Sequence, residues 1–201
     1  MSDESALRAV LIGVMLVLLP FGMYHRIRSQ SSGEKLDRRQ EGLFVLATLR
    51  PVGAVFWIAV FAWMINPAWM AWSSLALPIW LRWMGVLSLL CGSALLVWTF
   101  RTLGNNLTDT VVTREKHTLV MFGPYSWIRH PLYSSAALVI LAVSLIGSNW
   151  FFFVLGVAVL AILIIRTRTE ETNLVARFGN SYQLYMDRTG RFLPRIGRSP
   201  R

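Results

Sequence analysis

Between Gly123 and Tyr133 the chain reads Gly-Pro-Tyr-Ser-Trp-Ile-Arg-His-Pro-Leu-Tyr, a polar, aromatic and turn-forming stretch set between apolar runs. Pro124 and Pro131 lack a backbone donor and bias the residue before them away from helix, so His130 is expected extended, where a new apolar helix begins. Arg129, His130, Tyr125 and Tyr133 then offer donors, a titratable ring and two phenols to one small ligand. Taken alone, an Arg-His-Pro-x-Tyr string also suits an anchor at a membrane surface, where Arg, Tyr and Trp collect. Further along, Arg166 and Glu170 stand four apart, and a continuous helix would carry them on one face. With the arginine first, such a pair contributes about 0.2 to 0.5 kcal/mol at most, so a shared ligand explains the spacing better. Arg168 and Glu171 fall on other faces and read as solvated or headgroup contacts.

The elements that must position these groups are membrane spans. A chain of 201 residues that is 55% hydrophobic has more apolar surface than one soluble domain can hide. Its net charge of +10 lies in blocks that flank apolar runs and forms no nucleic-acid motif. Cys91 is the single cysteine, which excludes an internal disulfide and a cysteine cluster for zinc. The acidic start, Met1-Ser2-Asp3-Glu4, is the reverse of a basic signal-peptide opening.

Ala6 to Met23 reads as the first span, with Arg8 at its edge. His25 to Glu41 is a basic loop, placed in the cytoplasm by the positive-inside rule, with the N-terminus outside. Leu43 to Ile65 returns across the membrane but contains Arg50-Pro51. Either Arg50 is buried in the span, or Leu43 to Leu49 lies along the interface and the span starts after Pro51; the second reading is slightly favoured. Asn66 to Leu77 is an uncharged outer loop whose Trp69 and Trp72, with Trp63 and Trp80 nearby, form an aromatic belt. Pro78 to Phe100 is the third span, with Arg82 snorkelling outward and Cys91-Gly92-Ser93-Ala94 packing closely against a neighbour. Arg101 to Arg129 is too polar to cross. Leu132 to Ile146 and Trp150 to Ile165 form a hairpin around Gly147-Ser148-Asn149, and both runs are short, so the first either starts before Tyr133 or is recessed below the surface, which would bring the His130 region close to the lipid boundary. From 166 to 201, eight arginines face Glu170, Glu171 and Asp187, so the C-terminus is cytoplasmic. The expectation is an all-α polytopic membrane protein of about five spans. Residues 1–100 form a three-span region and 101–201 a region holding the connector, the hairpin 132–165 and a cytoplasmic helix and tail, the two making one integrated domain.

Around the 123–133 stretch lie further markers in order: His117-Thr118-Leu119-Val120 before it, then Glu170-Glu171, Phe178-Gly179, Tyr182, Tyr185 and Phe192-Leu193-Pro194. This set resembles the membrane-integral isoprenylcysteine carboxyl methyltransferase family and its bacterial relatives, from about His117 to Pro194. The resemblance implies S-adenosyl-L-methionine as cofactor, surrounded by His117, Thr118, Leu119, Val120, Tyr125, Arg129, His130, Pro131, Leu132, Tyr133 and Glu170. It gives Arg166 and Glu170 the catalytic roles, the arginine facing the methyl acceptor and the glutamate the cofactor, and it casts 178–194 as a cover with no chemistry of its own. The acceptor it implies is lipophilic or prenylated and reached from the bilayer, with membrane lipids as the other partner and neither nucleic acid nor metal involved. Transfer to a carboxylate needs no general base, because that nucleophile is already ionised at neutral pH. For an amine or phenol acceptor, Glu170 or His130 becomes the base candidate. Two other readings stay open: an NADPH-dependent sterol or enone reductase of similar membrane fold, and a non-catalytic scaffold or carrier.

Overall fold

A computed structural model of the chain describes residues 3–30, 43–104 and 119–195. They form six helices: α1 (Asp3–Gln30), α2 (Leu43–Ile65), α3 (Ile79–Leu103), α4 (Pro131–Ile146), α5 (Trp150–Phe178) and α6 (Asn180–Arg188), with 3-10 turns at Pro67–Ser73 and Gly123–Ser126. Among the described residues there is no strand, as expected, and β-type pairing is limited to two isolated bridges, Ser74 with Asn149 and Ile128 with Gly190. Helices α1, α2, α3 and α5 are each long and apolar enough to cross a bilayer. Large apolar side chains such as Leu16, Val17, Ile58, Leu87 and Val154 face outward, as a lipid-embedded surface requires. The protein is integral to the membrane.

Helix α4 has only 16 residues, or about 24 Å of rise against a hydrocarbon core of about 30 Å. It nevertheless runs from one end of the bundle to the other beside α3. At the loop end, the Leu75 amide donates to the Ser148 carbonyl at 2.6 Å and the Ser148 hydroxyl donates to the Leu75 carbonyl at 2.6 Å. Helix α4 starts at Pro131, before Tyr133, one of the two outcomes the short apolar run allowed.

The same end is tied by side chains that satisfy helix termini. Arg8 donates from Nε to the Met64 carbonyl at 2.7 Å and from Nη2 to that of Ile65, closing α2. Arg82 donates twice to the Ile146 carbonyl, at 3.1 and 2.7 Å, and pairs with Glu4 at 2.6 Å. Both arginines neutralise carbonyls that the last helical turn leaves without partners. Asn149 opens α5 by accepting from the Phe151 and Phe152 amides, while its own amide donates to Met70 and Ser73.

Three expectations are corrected here. Helix α2 passes without a break through Arg50-Pro51, and the part of it long and apolar enough to cross is Ala47–Ile65, so the span does not start after Pro51. Arg50 is exposed on its outer surface. Trp63 does not join the aromatic belt; it is buried against Phe152 in the core, while Trp69, Trp72 and Trp80 are exposed. Of the tract 91–94 only Gly92 is buried at the close contact, with Cys91 and Ala94 exposed, and the close-packing stripe on α3 is completed by Gly85 and Ser88. Ser88 donates to the Leu138 carbonyl at 2.8 Å, and a Cβ on Gly92 would lie 2.9 Å from the Leu138 Cβ and 3.2 Å from the Ser135 carbonyl oxygen. Small residues let the two backbones approach where no apolar driving force between helices exists in lipid. Gly92→Val is accordingly expected to lower stability by about 1 to 3 kcal/mol through overpacking. Thermal unfolding in detergent checks this, with Gly13→Val as the control, since a Cβ on Gly13 meets nothing within 4 Å.

Candidate functional site

The site forms where the 123–130 segment, the last turns of α5, α6 and the C-terminal segment 189–193 meet. Gly123 has φ +63° and faces Thr102 so closely that a Cβ would lie 2.6 Å from its hydroxyl. Glycine is required there on both counts. His130 immediately precedes α4, outside helical geometry at φ −122° and ψ 60°, and its carbonyl accepts from the amides of Tyr133 at 3.1 Å and Ser134 at 3.2 Å. Pro131 takes the first helical position, where no donor is missed.

Helix α5 runs without interruption from Trp150 to Phe178, so Arg166 and Glu170 do share a face. Gly179, at φ +55°, ends it and turns the chain into α6, whose Tyr182 and Tyr185 are buried three residues apart. Tyr185 Oη donates to the Tyr125 carbonyl at 2.7 Å, seating α6 on the 3-10 turn. Beyond α6 the chain runs back as a strap beside residues 127–130. The Gly190 amide donates to Trp127 at 3.1 Å, Arg129 to Gly190 at 2.8 Å and His130 to Arg191 at 3.0 Å, so backbone groups outside any helix find partners. Ser134 Oγ adds a bond to the Phe192 carbonyl at 2.6 Å. A Cβ on Gly190 would lie 1.7 Å from the Leu193 carbonyl oxygen, which leaves no room for a side chain there.

Two adjacent carboxylates meet this assembly differently. Glu170 is 27% exposed at its side chain; its Oε2 accepts from Tyr133 Oη at 2.8 Å and lies 3.8 Å from His130 Nδ1. Glu171 is 4% exposed and accepts from Arg129 Nε at 3.0 Å, from His130 Nε2 at 3.2 Å and from Arg191, whose Nε is 3.2 Å away and whose Nη2 meets Oε2. The expectation that Glu171 is solvated is therefore wrong. Burial would disfavour its charge, but two guanidinium groups and the imidazole offset that cost. The His130 ring lies parallel to Tyr133, 5.5 Å between centroids at 3°, with Phe192 5.9 Å away on its other contact.

Of the residues expected around a cofactor, the structure brings together Tyr125, His130, Pro131, Leu132, Tyr133 and Glu170. Tyr125 is close enough to Glu170 for that carboxylate to act on its phenol, and Arg166, half-buried, is likewise within electrostatic reach of Tyr133. Burial pushes the phenols of Tyr125, Tyr182 and Tyr185 above their ordinary range, so each stays a neutral donor. Leu119 and Val120 are half-buried on the approach to the Gly123 turn, while His117 and Thr118 lie outside the described residues. Arg129 is placed differently from a ligand-facing group: besides Glu171, its guanidinium bonds the carbonyls of Met186 at 2.9 Å and Thr189. It holds α6 and the strap. Among the described residues no three His, Cys, Asp or Glu side chains cluster as metal ligands.

Residues 83–176, from early in α3 to near the end of α5, match the isoprenylcysteine carboxyl methyltransferase family, and this region contains His130, Tyr133, Arg166 and both glutamates. Over these residues the chain is similar to that family. It is 33% identical over 143 residues to the protein-S-isoprenylcysteine O-methyltransferase of Homo sapiens, a match covering 62% of this chain and 45% of the relative. With the protein of the same name from Dictyostelium discoideum it shares 30% over 115 residues, covering 52% of this chain and 46% of that one. The solved structure of the eukaryotic intramembrane Ras methyltransferase of the family superimposes with a TM-score of 0.52 at 25% identity, over 73% of this chain and 52% of the other. The chain thus spans about half the length of these isoprenylcysteine carboxyl methyltransferases. The family match stops at 176, before α6 and the strap, which the geometry nonetheless makes part of the site.

Proposed function

We propose that the chain is a membrane methyltransferase that moves the methyl group of S-adenosyl-L-methionine to a lipophilic acceptor, with an isoprenylcysteine-like carboxylate as the acceptor best supported. The observation that carries the reading is the unequal pair of glutamates. Glu171 is committed to internal partners, whereas Glu170 is part-exposed beside His130, Tyr133 and Tyr125, within the region shared with the family. This donor set fits the proposed cofactor, whose amino-acid tail and sulfonium call for a carboxylate and aromatic faces. When bound, that group supplies an electrophilic methyl carbon.

The chain's own residues do the rest. Tyr133 donates to Glu170 and so fixes the carboxylate's direction, while His130 is stacked on the Tyr133 ring. Arg166, one turn before Glu170, can take an acceptor carboxylate through two parallel bonds. Because that acceptor is ionised at neutral pH, holding it at about 3 to 3.5 Å from the carbon it attacks and keeping water away are the tasks left to the protein. A start of α4 set below the headgroup level would serve both.

Purified protein in detergent is expected to bind labelled S-adenosylmethionine and to transfer its methyl group to prenylcysteine analogues or other lipophilic carboxylates. Binding of NADPH in its place would reject the proposal in favour of a reductase, and binding of neither would reject catalysis by this route. The orientation proposed is N-terminus outside, with C-terminus and site cytoplasmic, from the basic blocks at 25–41, 101–129 and 166–201. A reporter active only outside the cytoplasm should stay silent when fused after Arg201. Activity there would overturn the orientation.

A further inference from the structure

Glu171 takes no part in the methyl transfer proposed above, yet three basic side chains converge on it, Arg129 and His130 from the 123–130 segment and Arg191 from the strap. A carboxylate can only accept, so the His130 nitrogen beside it must carry its proton on the side of that contact. We propose that Glu171 is a positioning residue for His130: it holds the imidazole with the proton on Nε2 and turns Nδ1 toward Glu170, and Arg191 makes this arrangement depend on the docked strap.

Geometry separates the two carboxylates. Glu171 Oε1 is 3.2 Å from Nε2, within hydrogen-bond range, whereas Glu170 Oε2 is 3.8 Å from Nδ1 and already accepts from Tyr133. The ring lies parallel to Tyr133 and also meets Phe192 of the strap, at a tilt of 41°. With the ring stacked on Tyr133, a half-turn that returns it to its own plane would exchange Nε2 and Nδ1 for ring carbons and break the Glu171 contact. Glu171 is in turn held in place by Arg129 and Arg191, so its own rotation is blocked. Arg191 is the member that the strap contributes, and its backbone carbonyl accepts from the His130 amide at 3.0 Å. The strap therefore fixes His130 twice, through its main chain and through Glu171. Nδ1 and Glu170 are left facing one another across a gap that suits a donor-bearing group of the cofactor. That last consequence rests on the methyltransferase reading; the proton position does not.

The test is the nitrogen spectrum of the full-length protein labelled with 15N-histidine and reconstituted in lipid bilayers, measured by magic-angle spinning. The chain has three histidines, His25, His117 and His130, and the His130 signals are those lost in His130→Asn. The expected result is a protonated Nε2 in the unmodified protein, with Glu171→Leu moving the proton to Nδ1 or mixing the two forms. The same substitution should raise the dissociation constant for S-adenosylmethionine at least tenfold. Arg191→Ala should shift the spectrum in the same direction, and Arg191→Lys, which keeps a charged donor, should restore it. A bare Nε2 in the unmodified protein, or a spectrum unchanged in Glu171→Leu, would overturn the proposal. Should Glu171→Leu fail to fold, the unmodified spectrum and the Arg191 pair decide, since the Arg191 side chain is 36% exposed and its loss leaves Arg129 still paired to Glu171. A Glu171-dependent spectrum in a protein that binds no S-adenosylmethionine would support the positioning role and reject the methyltransferase reading alone.

Discussion

Glu170→Gln is expected to raise the dissociation constant for S-adenosylmethionine tenfold or more while leaving the protein folded. Glutamine keeps the volume and can still accept from Tyr133 Oη, so the bond that seats the side chain survives. What disappears is the charge. A hydrogen bond to a charged group contributes about 1.5 to 3 kcal/mol, and each 1.4 kcal/mol is about a factor of ten in affinity. Because Glu170 is part-exposed, solvent in the apo protein screens its charge, and the loss is felt mainly when a ligand excludes water. Calorimetry on detergent-purified protein measures it, and an unchanged constant would return Glu170 to the status of a surface charge.

Arg166→Lys is expected to separate binding from turnover. Lysine keeps the positive charge at the end of the membrane-embedded part of α5 but loses the planar fork that grips a carboxylate at two points. Loss of one charged hydrogen bond of about 1.5 to 3 kcal/mol corresponds to a fall in methyl transfer of roughly tenfold to over a hundredfold. Cofactor affinity should change by less than about twofold, because the groups placed nearest one another around Glu170 come from α4 and the 3-10 turn. Transfer rates on a lipophilic carboxylate acceptor, measured beside cofactor titrations, give the comparison. Full activity in the variant would leave Arg166 as a positive-inside anchor and remove it from the mechanism.

Much of the fold was legible because hydropathy in a membrane chain is a strong, local signal. The spans, the Pro78 and Pro131 helix starts and the Gly147–Asn149 turn all follow from residues adjacent in sequence. Where the reading failed, the cause was a contact made far along the chain. Trp63 looks like a belt residue until Phe152 is placed beside it, and Gly85 joins Gly92 as a packing site only once α4 is known to lie along α3. Glu171 is the sharpest case. Its helical face was assigned correctly, but what that face meets is set by Arg129 and Arg191, 42 and 20 residues away. A compositional hint did exist: the segment 166–201 has eight arginines and three acids, two of them adjacent, so a pair pointing in different directions has two sets of basic partners to serve. Arg129 was legible as a site residue by position, but its use in binding Met186 and Thr189 was not.

The strap also sets an order of assembly during synthesis. Arg129 leaves the ribosome well before its partners, which follow 42, 57 and 60 residues later. Translocation machinery can insert α4 and α5 while the 123–130 segment still lacks the chain that completes its hydrogen bonds. Until the segment 189–193 has been translated and has paired with it, a guanidinium and a carboxylate destined for burial depend on water. The nascent protein is thus membrane-inserted before it is competent, and a ribosome that terminates early leaves a correctly spanning product with no finished site.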